Sequence, residues 1–274
     1  SLALALFAAW IIVSRVTHPL RQLSGAVAVL GRGQYPDPIP EQGANELRQL
    51  AAAFNRMSAD LKRLDSERAE ILAGISHDLR TPLARLRLEA EMSIADDTAR
   101  LAVAEDIERM DAIIAQFLHF ARGSNDETPE WIDLDALISD LAEAYARRGM
   151  PVILQLGGCP LLLRRQGLLR AIGNLIENAH RYGTRHIEVL TWQTSQAIGI
   201  DVQDRGPGIP VTEIEHLKRP FTRLESARSN ACGTGLGLAI VERVARLHGG
   251  SLELLPRDGG GLIARLRLPR SSQE

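Results

Sequence analysis

The sequence predicts a multidomain chain. An α-helical half, built from a coiled coil and a dimeric four-helix bundle, precedes an α/β sandwich. Three observations predict this. Apolar residues recur at spacings of three and four from Leu20 to Leu64 and again from Val103 to Ala121. After the polar stretch Gly123 to Pro129, short alternating strand and helix signals take over. At 274 residues the chain is long enough for two domains or more.

The bulk numbers exclude some classes of function. A formal net charge of -2 and 4% aromatic residues give no electrostatic or stacking argument for nucleic acid. Cys159 and Cys232 lie far apart without metal-type spacing, and read as reduced thiols of a cytosolic protein. Leu2 to Val13 is an uninterrupted apolar run followed by Arg15, His18 and Arg21. That is short of the ~20 residues needed to span a bilayer, and it lacks the basic start of a signal peptide. We read it as the cytoplasmic end of a transmembrane helix with basic residues on the inner side. A buried N-terminal helix is the alternative.

The helical half divides by its breakers. Leu20, Leu23, Val27 and Leu30 mark a first helix. Pro36, Pro38 and Pro40 exclude helix from the connector Gly31 to Gly43. Leu47, Leu50, Phe54, Met57, Leu61 and Leu64 form a second seam, which needs partner helices to bury it. A simple helical hairpin would explain these heptads equally well.

The second seam continues through Ile71 and Ile75 into Ile-Ser-His-Asp-Leu-Arg-Thr-Pro-Leu at 75–83. His77 and Thr81 share a helix face, with Asp78 beside the imidazole. Pro82 deprives the carbonyl of Asp78 of its helical partner, so the helix should bend or loosen there. A bare histidine on a helix is also commonly a solvated or core residue, and this string alone does not decide. A turn near Asp96 to Thr98 precedes a helix carrying Val103, Ile107, Met110, Ile114, Phe117 and Ala121. An antiparallel pair with so wide an apolar face cannot cover it alone, which predicts a dimeric bundle.

In the last part, Trp131 to Asp133 reads as a strand and Leu134 to Arg148 as a helix. Val152 to Leu156 and Leu161 to Leu163 read as strands, Gln166 to Tyr182 as a helix. His186 to Trp192 and Ala197 to Asp204 look like a strand pair. After a long irregular stretch come a helix, Leu236 to Leu247, and a hairpin, Ser251 to Leu255 with Leu262 to Leu268. The expectation is one mixed sheet with helices on one face.

Three motifs here carry chemistry. Asn174-Leu-Ile-Glu-Asn178 puts Leu168, Ile172, Leu175 and Ala179 on a buried stripe and Arg170, Asn174, Asn178 and Arg181 on another face. Amide oxygens are hard ligands suited to Mg²⁺, and Arg181 could reach phosphate oxygens. Alone, two asparagines at this spacing are usually just a polar face. Asp204-Arg-Gly206-Pro-Gly208 places Asp204 in line with the inward residues Ile198, Ile200 and Val202. An inward carboxylate needs a donor, which the exocyclic amine of adenine would supply; a turn carboxylate capping its own loop is the other reading. Gly233-Thr234-Gly235-Leu236-Gly237 leads into a helix and suits close approach to phosphate. Neither a P-loop nor a Rossmann context surrounds it. The loop between the last two motifs, with Arg219, Phe221, Arg223 and Arg228, reads as a lid.

In this order and at these separations the motifs resemble those of the sensor histidine kinases. Residues 75–83 match that family's H box, 174–178 its N box, 204–208 its first glycine box, Phe221 its F box and 233–237 its second glycine box. The two heptad helices and their connector, with Pro19 and Glu46 at their starts, resemble a HAMP module. The string around His77 looks closest to the EnvZ osmosensor branch. The resemblance implies a HAMP coiled coil, a four-helix bundle and an ATP-binding α/β sandwich of the histidine kinase, gyrase and Hsp90 type. The implied boundaries are 1–14 for the end of a transmembrane helix, 15–67 for HAMP, 68–124 for the phospho-acceptor domain and 125–274 for the catalytic domain.

The resemblance also implies roles. The enzyme would be a protein histidine kinase using ATP and Mg²⁺, with His77 as phospho-acceptor, Asp78 polarising it and Thr81 positioning a water for dephosphorylation. Asn174 and Asn178 would hold Mg²⁺, Arg181 touch phosphate, Tyr182 pack near adenine and Asp204 bind its amine. Gly206, Gly208, Phe221, Gly233, Thr234, Gly235, Leu236 and Gly237 would complete the nucleotide site. Implied partners are a second copy of the chain, an OmpR-like response regulator and the bacterial inner membrane, with these residues mainly cytoplasmic. Gln166 departs from the family, whose members often carry Asp before this helix. A gyrase-type ATPase and a degenerate scaffold are competing readings; the His77 box and heptad module argue against the first, the intact motifs against the second.

Overall fold

A computed structural model describes residues 2–3, 10, 13–122, 127–158, 160–183, 186–224 and 234–270. Most of the N-terminal apolar run, Cys159, Cys232, Arg228 and Gly233 therefore lie outside the described residues. Among the described residues no helix is long and apolar enough to cross a membrane. The chain forms two compact units, Ser1–Val103 and Ala104–Glu274.

In the first unit a π turn, Val13–Thr17, leads into helix α1, His18–Gly31, with Pro19 in its first turn. The connector has no regular structure, as its prolines require. It is nevertheless anchored. Ile39 is buried with Ala26, Ala51 and Phe54. Asn55 clamps Ile39 from both sides, accepting from its N–H and donating to its carbonyl, both at 2.9 Å. Helix α2 then runs unbroken from Asn45 to Ser93 with Pro82 inside it, so the heptad seam and the His77 string share one helix. Most of that seam is open in the single chain: Leu50, Met57, Leu61 and Leu64 are exposed while Phe54 is buried. The break comes at Ile94, slightly earlier than the sequence suggests. Asp96 caps the next helix, α3, Asp97–Arg122, by accepting from the N–H of Thr98 at 2.9 Å.

The second unit carries a five-stranded sheet in the order β2-β4-β5-β7-β6. The strands are β2 (Ile153–Gln155), β4 (Glu188–Gln193), β5 (Ala197–Gln203), β6 (Ser251–Pro256) and β7 (Leu262–Pro269). β2 lies parallel to β4 and the other pairs are antiparallel. The expectation of one sheet needs correction. β1 (Glu130–Ile132) and β3 (Leu161–Leu163) pair only with each other, so Trp131 lies opposite Leu162 in a separate ribbon. The irregular stretch also needs correction: it contains a 3-10 turn, Val211–Glu213, and a one-turn helix, α6 (Ile214–Leu217), whose Leu217 is buried.

The inner faces of the strands, among them Val189, Ile198, Ile200, Val202, Leu252 and Leu266, share one core with three helices. These are α4 (Leu134–Arg147), α5 (Arg165–Tyr182) and α7 (Gly237–Leu247). The outer face is held by ion pairs. Asp201, almost fully buried, accepts from Arg265 at 2.9 and 2.8 Å and from Trp192 at 3.0 Å.

Helix α5 is the element that positions the motifs. Leu168, Ile172, Leu175, Ile176 and Ala179 are buried, which fixes the direction of its polar face. Its N-cap residue, Arg164, makes no side-chain cap. The carboxylate of Glu127 does so instead, accepting from Gln166 at 2.6 Å and from Gly167 at 3.1 Å.

One prediction concerns the connector. Removing the Asn55 clamp leaves the N–H and C=O of buried Ile39 unpaired, at a cost of about 1–3 kcal/mol. In Asn55→Ala, amide exchange at Ile39 should speed up by tenfold or more while the sheet amides keep parental protection; unchanged exchange at Ile39 would show that the clamp does not hold the connector.

Candidate functional site

The second unit contains a cavity of about 1160 Å³ bounded by α5, the end of β5, the loops after it, the start of α7 and the later turns of α3. Asn174, Asn178, Arg181, Tyr182, Asp204, Gly208, Thr234, Gly235 and Gly237 all line it. Nine residues, the outermost being Asn174 and Gly237, thus face one space. Three expected members do not line it. Gly206 lies behind Asp204 and donates its N–H to Asp204 Oδ1 at 2.7 Å. Leu236 is fully buried in the core beneath the loop. Phe221 stands beside the cavity, and its neighbours Thr222, Arg223 and Leu224 line it.

The two amides converge. Asn174 Nδ2 donates to the carbonyl of Arg170 at 2.8 Å, which fixes the turn of its carboxamide. A Cβ on Gly237 would meet Asn174 Oδ1 at 3.2 Å and Asn178 Nδ2 and Oδ1 at 3.3 and 3.4 Å, so the first turn of α7 lies close against both side chains. Among the described residues no three His, Cys, Asp or Glu side chains gather as a metal cluster. Two amide oxygens beside a helix N-terminus fit a hard cation held mostly by phosphate oxygens and water. Arg109, Arg170, Arg181 and Arg223 outnumber Asp204 and Glu177 around the same space, a balance that favours a polyanion.

At the other end Asp204 is only 6% exposed. Burial raises its pKa, against the opposing hydrogen bond from Gly206 and the charge of Arg257. The backbone crowds it closely. A Cβ on Gly183, just past α5, would lie 2.6 Å from Cβ of Asp204. The carboxyl is therefore oriented by its own turn, yet turned towards the cavity. The reading of Asp204 as the cap of its own loop is thus met by the Gly206 N–H, and the residue also lines the cavity.

The loop region is fastened at its described ends. Phe221 has a φ of 62°, the left-handed region that a bulky side chain rarely adopts. Its N–H donates to the carbonyl of Gly235 at 2.9 Å, and Thr222 Oγ1 donates to the carbonyls of His216 and Arg219 at 2.8 and 2.6 Å. The ring of Phe221 meets that of Phe117 with centroids 5.9 Å apart.

His77, Asp78 and Thr81 are exposed on α2 in the first unit. Thr81 Oγ1 lies 3.4 Å from the carbonyl of His77, so hydroxyl and histidine share the face that their spacing predicts. Sequence reasoning missed three residues. Gly183 could have been found as a glycine closing a helix. Tyr145 and Gln116 could not: each sits on another helix and reaches the site only through the fold. Tyr145 donates to Glu177 at 3.0 Å, and burial followed by Glu177 pushes its phenol well above the ordinary value, keeping it a donor.

Residues 164–272 match the histidine kinase-, DNA gyrase B-, and HSP90-like ATPase family, residues 67–126 the His Kinase A (phospho-acceptor) domain and residues 11–63 the HAMP domain. The chain is 35% identical over 259 residues to the sensor histidine kinase GtrS of Pseudomonas aeruginosa, covering 94% of this chain and 54% of that one. It therefore spans about half the length of that relative. Among solved structures, full-length ShkA in complex with AMPPNP shares the fold with a TM-score of 0.60 at 23% identity, over 73% of this chain and 46% of that one. The histidine kinase domain of the Escherichia coli osmosensor EnvZ is 36% identical over 54% of this chain and 94% of its own, with a TM-score of 0.43. With its HAMP, phospho-acceptor and ATPase-type domains in this order, the chain belongs to the sensor histidine kinases.

Proposed function

We propose that this chain is the signalling portion of a membrane-associated sensor kinase that phosphorylates its own His77 from ATP and passes the phosphoryl group to a response regulator. The observation that carries the reading is the single cavity in which Asn174, Asn178, Arg181 and Asp204 converge. Asp204 accepts the exocyclic amine of adenine and Tyr182 packs beside the base. Asn174 and Asn178 hold Mg²⁺, which neutralises phosphate charge when bound. Arg181 and the loop Thr234 to Gly237 hold the phosphates; Gly233 belongs to the same motif.

The neutral imidazole of His77 attacks the γ-phosphorus. A nitrogen–phosphorus bond forms as the bond to the β-phosphate oxygen breaks, and ADP leaves. Asp78 accepts a hydrogen bond from the ring and so stabilises the charge that builds there. The phosphoryl group moves next to an aspartate on a separate, OmpR-like regulator. In the opposite state Thr81 orients the water that hydrolyses the aspartyl phosphate. The exposed seam from Leu50 to Leu64 supports a second copy of the chain as the partner that completes the coiled coil. The apolar run before Val13 supports an inner-membrane anchor, with the described residues on the cytoplasmic side.

Incubated with Mg²⁺ and labelled ATP, the chain should acquire an acid-labile, alkali-stable label. His77→Ala should abolish it while ATP binding persists; undiminished labelling in that variant would falsify the central reading.

Thr81→Ala should autophosphorylate at near-parental rate and lose most of its ability to dephosphorylate the purified phospho-regulator. If that dephosphorylation were unchanged, Thr81 would have no part in hydrolysis.

Asp204→Asn should weaken ATP binding by about 1–3 kcal/mol, since an acceptor for the adenine amine becomes imperfectly paired. It should also raise the melting temperature of the nucleotide-free chain at pH 7. The sign follows from the raised pKa. Above the ordinary carboxylate range the unfolded chain has released a proton that the folded one still holds, so this group's contribution falls as pH rises through the folded value. A neutral amide removes that loss. Calorimetry giving equal affinities for ATP in parent and variant would rule out Asp204 as the base acceptor.

A further inference from the structure

Gln116 joins two of the cavity's motifs from outside both. It lies on α3, and its Nε2 donates to Asn174 Oδ1 at 3.3 Å while its Oε1 accepts from Thr234 Oγ1 at 2.6 Å. Asn174 has no freedom to turn away, because its Nδ2 is engaged by the carbonyl of Arg170 at 2.8 Å. Thr234 is likewise engaged, accepting from the N–H of Leu236 at 3.3 Å. One residue further on, Phe117 meets Phe221 at 5.9 Å. One turn back, Ile113 lines the cavity with Gln116. This stretch of α3 thus forms part of the cavity wall, with its polar contacts placed at Asn174 and Thr234.

From this arrangement we propose that Gln116 is a latch on metal loading: it occupies the oxygen of Asn174 that a cation would use, and it must let go before Mg²⁺ is held there. The inference rests on the nucleotide reading above. Mg²⁺ needs near-octahedral geometry at about 2.0–2.1 Å from each oxygen. The amide hydrogens of Gln116 point their partial positive charge at the same oxygen, so cation and donor compete for one site. The residue type matters. A glutamate at 116 would still accept from Thr234, would no longer donate to Asn174, and would add an attractive charge. The chain's own residue is the one that bonds to both motifs while offering a cation nothing but repulsion at Asn174. Withdrawal of this turn of α3 would free Asn174 and Thr234 together, so a movement of the helix becomes a change in metal affinity.

The test uses the full chain and compares Mg²⁺·ATP with ATP in EDTA by calorimetry, for the parent, Gln116→Leu and Gln116→Glu. Folding of each variant is checked by its melting temperature without ligand. In both variants the preference for Mg²⁺·ATP over metal-free ATP should rise about fivefold or more above that of the parent, a gain on the scale of one hydrogen bond. Binding of metal-free ATP should change less than twofold in Gln116→Leu and weaken in Gln116→Glu, whose added charge repels the triphosphate. Unchanged or weaker Mg²⁺·ATP binding in Gln116→Leu would overturn the latch. So would an equal gain with and without metal, which would mark simple opening of the cavity. A rise in metal preference in the leucine variant but not in the glutamate variant would overturn the role of Asn174 in favour of Thr234. If the parent bound ATP under neither condition, the nucleotide reading itself would fall, and the latch with it.

Discussion

The burial of α5 is the constraint on which the site depends. Leu168, Ile172, Leu175, Ile176 and Ala179 belong to the core, and fully burying each leucine or isoleucine among them is worth about 1.5–3 kcal/mol. Rotating the helix by one residue, about 100°, would drag two asparagines and two arginines into that core. The apolar stripe therefore sets the heading of Arg170, Asn174, Asn178 and Arg181 far more firmly than any polar contact they make. The opposite wall obeys the same logic. β5 is buried along nearly its whole length, so the carboxyl of Asp204 at its end has little water to turn to. Its orientation is left to the Gly206 N–H and to close backbone contact with Gly183.

This explains what the sequence discloses. The stripe and polar face of α5 are one periodic signal, so both were legible, and with them the neighbourhood of Asn174 and Asn178. Asp204 follows from the parity of Ile198, Ile200 and Val202. Positions that depend on the third dimension were not legible. Gly206 and Leu236 belong to motifs read as nucleotide-facing, but one supports Asp204 from behind and the other plugs the core. The pairing of β1 with β3 rather than with the main sheet has no local signature, since three-residue strands carry too few alternations to reveal a partner. Phe221 could be named from its motif, but its left-handed backbone could not, because that strain is imposed by the Gly235 carbonyl across the loop.

The helical half poses the opposite physical problem. Its seam is regular, and in a single chain it is largely exposed. What the single chain does bury is small, chiefly Ala26, Ile39, Ala51 and Phe54, and it includes a connector residue that no heptad pattern points to. A 49-residue helix with so little covered apolar surface owes its persistence to length and local propensity in isolation. Neither is strong at 75–83, where Pro82 removes a backbone bond beside His77. On the proposed reading of His77 as phospho-acceptor, the backbone bond lost beside it suits a group that must meet more than one partner.

The departure at Gln166 finds its counterpart in Glu127. Without an acidic residue at its own start, α5 would leave its first N–H groups unpaired against the positive end of its dipole. Glu127 caps two of them, and a cap of this kind is worth about 0.5–2 kcal/mol. The same peptide accepts from Arg164 Nε at 2.8 Å through its carbonyl, and the Arg164 N–H donates to His248 Nε2 at 3.0 Å. Burial pushes the pKa of His248 down, which keeps that nitrogen free to accept. The start of α5 is therefore held by residues from two other parts of the chain: the end of α7 and the segment before β1. A local cap would have fixed the helix alone. A cap borrowed from Glu127 ties the start of the helix that carries both amides to a residue outside it.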